Sequence, residues 1–221
     1  MAEYKVAEIF TSINGEGMYA GRLAVFVRFC GCNLRCSYCD TMWANEECEY
    51  RLMSEEDIVD EVIRSGVKNV TLTGGEPLLQ KDVDIVINKL LAEKDLTVEI
   101  ETNGSVDISR FIDGEKRPVF TLDYKLEGSG MEQYMNTDNY RYLCDRDTVK
   151  FVVSNEKDLY KTYDICKKYS LGEKCNIIIS PVFGRINPDD IVQFMKDRLF
   201  NEARLGLQIH KIIWDPDKRG V

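Results

Sequence analysis

Only one of the 221 residues is a histidine, His210. A zinc site built on histidine pairs therefore has almost nothing to draw on. No apolar run approaches the ~20 residues needed to cross a bilayer, so an α-helical membrane span is excluded. The opening stretch MAEYKVAEIF lacks the basic start, apolar stretch and small-residue cleavage site of a secretory signal. A cytoplasmic protein with no membrane partner is the expectation. Basic runs are also missing: the net charge is −9, and the basic pieces KRP (116–118) and DKRG (217–220) are short and separated. They form no stripe able to displace counterions, which excludes a nucleic-acid surface and favours a small-molecule ligand. No repeat or low-complexity linker interrupts the chain. One domain over 1–221 is expected, shorter than a full eight-unit βα barrel.

Cysteine is what the chain does have: eight, at positions 30, 32, 36, 39, 48, 144, 166 and 175. In a reducing compartment that count points to a metal site or a reactive thiol rather than to disulfides. Four fall within CGCNLRCSYCDT (30–41). The outliers Cys48, Cys144, Cys166 and Cys175 read as small buried apolar residues, as does Cys30 at a strand end.

Apolar β-rich runs alternate with amphipathic helical ones. Strands are predicted over 4–10, 23–29, 67–74, 96–102, 118–124, 148–154, 176–180 and 205–210, and helices over 54–66, 81–94, 156–169 and 188–203. Ser54 followed by Asp57 reads as a helix cap, and Gly66 as a stop. Strand, helix, strand at this spacing implies right-handed βαβ units in a mainly parallel sheet. The later strands read as continuous apolar runs, as in a sheet covered on both faces. Residues 127–147 fit no period and read as a substrate-covering loop or a surface insertion. Five informative stretches follow predicted strands: the cysteine loop, TGGEP (73–77), ETNG (101–104), DYK (123–125) and SPVFG (180–184). In parallel sheets, sites form at those carboxyl ends.

Cys32, Cys36 and Cys39 make C-x3-C-x2-C. Structural zinc takes four ligands, usually in two separated pairs, and here the second pair is missing. Ferredoxin clusters use four cysteines at other spacings. Three thiolates on one loop suit a [4Fe-4S] cube whose fourth iron stays open to chelate S-adenosylmethionine (SAM). The motif resembles the radical SAM superfamily, whose cofactors supply a 5′-deoxyadenosyl radical. TLTGGEPLL (71–79) resembles that superfamily's turn for the SAM amino group, with Gly75 and Glu76 at its centre.

The longer stretch EIFTSINGEGMYAGRLAVFVRFCGCNLRCSYCDT (8–41), with TGGEP, IETNG and the terminal QIHKIIW…KRGV, is similar to the 7-carboxy-7-deazaguanine synthase family. The resemblance implies a shortened, partial βα barrel, a homodimer, and an electron donor such as flavodoxin or ferredoxin. It implies a lyase that contracts 6-carboxy-5,6,7,8-tetrahydropterin to 7-carboxy-7-deazaguanine with loss of ammonia, in queuosine and 7-deazapurine biosynthesis. SAM is regenerated and Mg2+ assists. By the same resemblance Ile13, Asn14 and Gly15 form the pterin-binding turn, joined by Glu16, Arg28 and Thr73. Arg28 pairs with the pterin carboxylate. Thr41 is the Mg2+ ligand. Gly75, Lys125 and the loop Ser180, Pro181, Val182, Phe183 face SAM, while Glu101, Thr102 and Asn103 meet ribose or pterin. His210 and the end Arg219-Gly220-Val221 close over the substrate. The chain departs from the family at Asn14, where many members carry Gln, and at Asp123-Tyr124, where many carry Ser-Pro. No general base is expected, because the reaction starts with hydrogen abstraction from C6. Two other readings stay open: an activase of a glycyl-radical enzyme, and a non-catalytic iron–sulfur or zinc module.

Overall fold

The computed structural model describes residues 2–45, 48–113, 116–216 and 218–221. Nine strands form one sheet among them: β1 (Glu3–Ile13), β2 (Leu23–Phe29), β3 (Arg51–Ser54), β4 (Asn69–Gly74), β5 (Thr97–Thr102), β6 (Val119–Tyr124), β7 (Thr148–Val153), β8 (Asn176–Pro181) and β9 (Ala203–Leu205). Their order is β3-β1-β2-β4-β5-β6-β7-β8-β9. β1 runs antiparallel to both of its neighbours. From β2 onward every pairing is parallel. Helices α1 (Glu55–Arg64), α2 (Val83–Ala92), α3 (Glu156–Tyr169) and α4 (Pro188–Asp197) make four of the crossovers, and a short α5 spans Ile209–Ile213.

The sheet curls. Glu8 and Phe10 of β1 line the same cavity as Val182, the residue after β8. Those strands lie six intervals apart in the order, about 29 Å across a flat sheet. The ends are also stitched together, with Ile209 N donating to Gly15 O at 3.3 Å. Among the described residues β3 and β9 each pair on one side only, so this is an α/β partial barrel.

Local signals explain much of the frame. Ser54 Oγ accepts from Asp57 N at 3.2 Å while the Asp57 carboxylate accepts from Ser54 N at 3.1 Å, the reciprocal cap that starts α1. On the outer face, Leu72, Ile100, Phe120, Leu122 and Phe151 are almost wholly buried in the layer beneath the helices. Each contributes roughly 1.5–3 kcal/mol by leaving water.

Two expectations are corrected, and one pair of alternatives is decided. The strands are not apolar on both faces: β4 to β7 alternate, with Thr71, Thr73, Glu99, Glu101, Thr121, Asp123 and Lys150 between the apolar residues. The barrel interior is polar. Next, the predicted strand over 205–210 and the helix over 188–203 give way to α4, β9 and α5. The chain turns at Leu199, where φ is +47°, and α4 stops at Asp197. Finally, 127–147 is a packed insertion of short 3-10 turns, and none of its residues lines the cavity. Fully buried Asn139 donates to Val106 O at 2.8 Å and accepts from Ile108 N at 3.1 Å. Ser37 N donates to Ser129 O at 3.0 Å, so the insertion braces the cysteine loop.

Candidate active site

The carboxyl ends of the parallel strands surround a cavity of about 720 Å³. Two glycines end β4 because nothing larger fits. Gly74 has φ +146°, and a Cβ there would lie 2.2 Å from Phe29 O. On Gly75 it would lie 2.1 Å from Gly31 O. This close approach lets Gly75 N donate to Phe29 O at 3.1 Å and Glu76 N to Gly31 O at 2.8 Å, locking the glycine turn to the start of the cysteine loop.

Cys32, Cys36 and Cys39 are free thiols and all three line the cavity. Cys32 Sγ accepts from Leu34 N at 3.4 Å and from Asn103 Nδ2 at 3.5 Å, donors that suit a thiolate. Among the described residues no three His, Cys, Asp or Glu side chains gather to hold one metal ion. Cys30 is buried as expected, but it is disulfide-bonded to Cys48, Cα–Cα 6.4 Å, which corrects the expectation that the cysteines form no disulfide. The chain folds back through a short turn at Met42–Ala44, with Gly31 N donating to Ala44 O at 2.9 Å. A sequence separation of 18 carries no signal of that pairing. Cys166 and Cys175 are buried as expected, and Cys144 is half-buried.

Below the cysteines the polar interior forms two layers. In the lower one Glu99 accepts from Asn14 Nδ2 at 3.1 Å and from Thr121 Oγ1 at 2.7 Å, and Asn14 Oδ1 accepts from Thr71 Oγ1 at 2.9 Å. In the upper one Thr73 Oγ1 donates to Glu101 at 2.9 Å, Lys125 Nζ meets Asp123 at 2.6 Å, and Lys150 pairs with both Glu16 and Asp123. Burial raises the Glu101 carboxyl above its ordinary range. Burial would also raise Asp123, but Lys125 and Lys150 hold it below the usual carboxylate range. Burial lowers His210, whose ring lies over Gly15.

Glu99 carries a pH prediction. Burial, then the Glu101 charge, pushes it from 4.5 up to about 8. The folded state therefore binds the proton more tightly, and this contribution to stability is fully present below about 4.5 and lost as pH rises through about 8. Denaturant unfolding at about pH 5 and about pH 9 is expected to show a stability loss that Glu99→Gln flattens. An unchanged slope in the variant would reject the assignment.

Arg28 Nε donates to Glu8 Oε1 at 2.8 Å, leaving the outer edge of its guanidinium beside the cavity. Trp43 lies between two cations, with Arg28 5.9 Å and Arg219 4.2 Å from the ring. Lys211 pairs with Asp40 at 3.0 Å, tying α5 to the cysteine loop.

Most of the residues singled out from the sequence line this one cavity: Ile13, Gly15, Glu16, Arg28, Thr41, Thr73, Gly75, Thr102, Lys125, Val182, Phe183, His210 and Val221, besides the cysteines. So do Glu101, Asn103, Arg219 and Gly220. Four do not. Asn14 is buried, its amide spent on Glu99 and Thr71. Glu76 is buried and braces the turn, accepting from Leu78 N at 3.0 Å, Thr102 Oγ1 at 2.8 Å and Asn103 N at 2.7 Å. Burial takes its carboxyl to about 7 in spite of those donors. Ser180 and Pro181 are buried in the ladder opposite Val152 and Val153. Lys150, Glu8 and Trp43 were not singled out. Lys150 had a signal, a lone cation at an inward position of TVKFVV.

Residues 26–198 match the Radical SAM superfamily. The chain is 56% identical over 219 residues to 7-carboxy-7-deazaguanine synthase of Clostridium acetobutylicum, covering 99% of each. It is 35% identical to the enzyme of that name from Leptospira interrogans, covering 98% of this chain and 97% of the other. Among solved structures, QueE from Escherichia coli superposes with a TM-score of 0.70 at 21% identity, covering 93% of both chains, a likeness of fold. Three free cysteines over a polar half-barrel, matched nearly end to end by such relatives, place the chain in the radical SAM superfamily and, within it, in the 7-carboxy-7-deazaguanine synthase family.

Proposed function

We propose that this cavity converts 6-carboxy-5,6,7,8-tetrahydropterin to 7-carboxy-7-deazaguanine with loss of ammonia, a step of queuosine and 7-deazapurine biosynthesis. One observation carries the reading: a single cavity of about 720 Å³ joins three free thiols to a wall of paired carboxylates and an arginine. That volume takes more than one small ligand. Cys32, Cys36 and Cys39 would hold a [4Fe-4S] cluster, with SAM beside Gly75, Thr102, Lys125, Val182 and Phe183. When bound, these two cofactors supply the radical that removes hydrogen from C6.

The chain's own residues then bind and orient. Arg28, fixed through Nε by Glu8, presents its outer edge to the substrate carboxylate. Ile13, Gly15 and Glu16 meet the flat heterocycle with backbone groups and a carboxylate, and Thr73 lies at the same wall. His210 and Val221 cover the mouth, tethered by the Lys211–Asp40 and Arg219–Trp43 contacts. Thr41, a hydroxyl at the cavity edge, would supply a protein oxygen to Mg2+, a hard cation that would help hold the substrate's anionic oxygens in place. The full chain acts as one domain, as a homodimer, in the cytoplasm, with electrons from a flavodoxin- or ferredoxin-type donor. Among the described residues no helix is long and apolar enough to cross a membrane.

The test is anaerobic: the reconstituted protein with SAM, reductant, Mg2+ and the carboxylated pterin, its products followed by mass spectrometry. The expected result is 7-carboxy-7-deazaguanine, with turnover falling when Mg2+ is removed. SAM cleaved with the pterin untouched would reject the substrate and favour the activase reading.

A further inference from the structure

Lys150 is a buried cavity cation that the reaction as described leaves unused. It sits on an inward position of β7, is 8% exposed, and lines the cavity. An ammonium out of water costs several kcal/mol unless it is paired. This one is paired twice, with Glu16 from the segment after β1 and with Asp123 Oδ1 of β6 at 3.1 Å. Its affinity for the proton is raised well above the ordinary lysine range, mainly by Asp123 and then Glu16 and Glu101, which outweigh its burial. Asp123, where many family members carry serine, divides its two oxygens between Lys150 and Lys125.

A purely neutralising role would leave the partners satisfied, and Glu16 is not. Its Oε2 is held by Lys150, whereas Oε1 is buried with no hydrogen-bond partner among the described residues. Buried carboxylate oxygens usually have a donor. Of the others among the described residues that lack one, Asp123 Oδ1 has the Lys150 ammonium at 3.1 Å and Glu55 Oε2 lies away from the cavity. Glu16 Oε1 is thus the one open to a cavity ligand. Glu16 also belongs to an irregular segment, so its backbone fixes its side chain less firmly than a strand would. Lys150, on a central strand, supplies the fixed point.

We propose that Lys150 is a positioning residue: it holds Glu16 by one oxygen so that the other receives an N–H donor of the substrate's flat heterocyclic edge. This rests on the pterin reading of the cavity. Lys150 touches no reacting atom; it acts through Glu16.

The experiment measures equilibrium binding of 6-carboxytetrahydropterin and, separately, of SAM to the cluster-loaded protein under anaerobic conditions. Lys150→Met is expected to weaken pterin binding about 30-fold, as for a charge-assisted hydrogen bond lost from a buried site. SAM binding should change less than about threefold, and cluster iron should stay at the wild-type level. The double variant Glu16→Gln/Lys150→Met should bind no more weakly than Glu16→Gln alone, since the two residues act as one unit. Lys150→Arg keeps the charge but not the compact ammonium, and is expected to weaken pterin binding at least about fivefold with the fold intact. It carries the test if the methionine variant does not fold. Equal losses for pterin and SAM, additive losses in the double variant, or wild-type pterin affinity in every Lys150 variant that folds would overturn the proposal. Wild-type protein that binds SAM but not the pterin would instead remove the substrate reading on which it rests.

Discussion

Cys36→Ala is expected to abolish turnover and SAM cleavage together, with loss of most cluster iron and acid-labile sulfide. Cys36 is one of three free thiols on the cavity wall, and among the described residues no cluster of side chains stands ready to replace it as a metal ligand. A cluster held by these three thiolates would leave one corner for SAM, so losing one thiolate would leave two corners without protein ligands. The control is Cys144→Ala, since Cys144 lies before the amino end of β7, away from the cavity and 3.5 Å from an Arg117 nitrogen. That variant is expected to keep its iron and its activity. Full iron content in Cys36→Ala, or equal loss in Cys144→Ala, would show that the cluster is held elsewhere.

Gly74→Ala is expected to produce the largest loss of stability available from adding one methyl group. Two costs combine there. A φ of +146° is strained for any residue with a Cβ. The new atom would also stand 2.2 Å from Phe29 O and 2.6 Å from Phe29 N, backbone atoms of a strand whose side chain is fully buried. Phe29 cannot move without opening the pairing of β2 with β4, in which it lies opposite Gly74. The expected destabilisation is at least about 3 kcal/mol, or roughly 10 °C in Tm for a chain of this size. Because the same turn meets the cysteine loop, cluster iron should fall in parallel. A variant with unchanged Tm would mean that the glycine turn and its neighbour strand are not packed as described.

The helices and most strands were legible because their signals are local. The reciprocal Ser54–Asp57 cap and the β-rich runs between helical ones need no tertiary context. The cysteine loop was legible through its spacing alone. What escaped depends on contacts between distant segments. LGLQIH reads as a strand by alternation, but the turn at Leu199 brings β9 in early, and Ile209–Ile213 winds into α5 against the segment after β1. The polar interior is present in T-L-T, E-I-E and T-L-D, yet threonine is itself a good strand former, so the alternation reads as apolar continuity. Asn14 and Glu76 show the opposite limit. A motif places a residue beside a site, but whether its side chain faces the ligand or the scaffold is decided by partners such as Glu99 and Thr102, 85 and 26 positions away.

The measurement that bears most directly on the account follows deuterium placed at C6 of 6-carboxytetrahydropterin through anaerobic turnover. The account predicts that deuterium appears in recovered SAM, that 7-carboxy-7-deazaguanine accumulates, and that SAM is not consumed in proportion. Deuterium retained in the pterin while SAM is cleaved one-for-one to 5′-deoxyadenosine would contradict it.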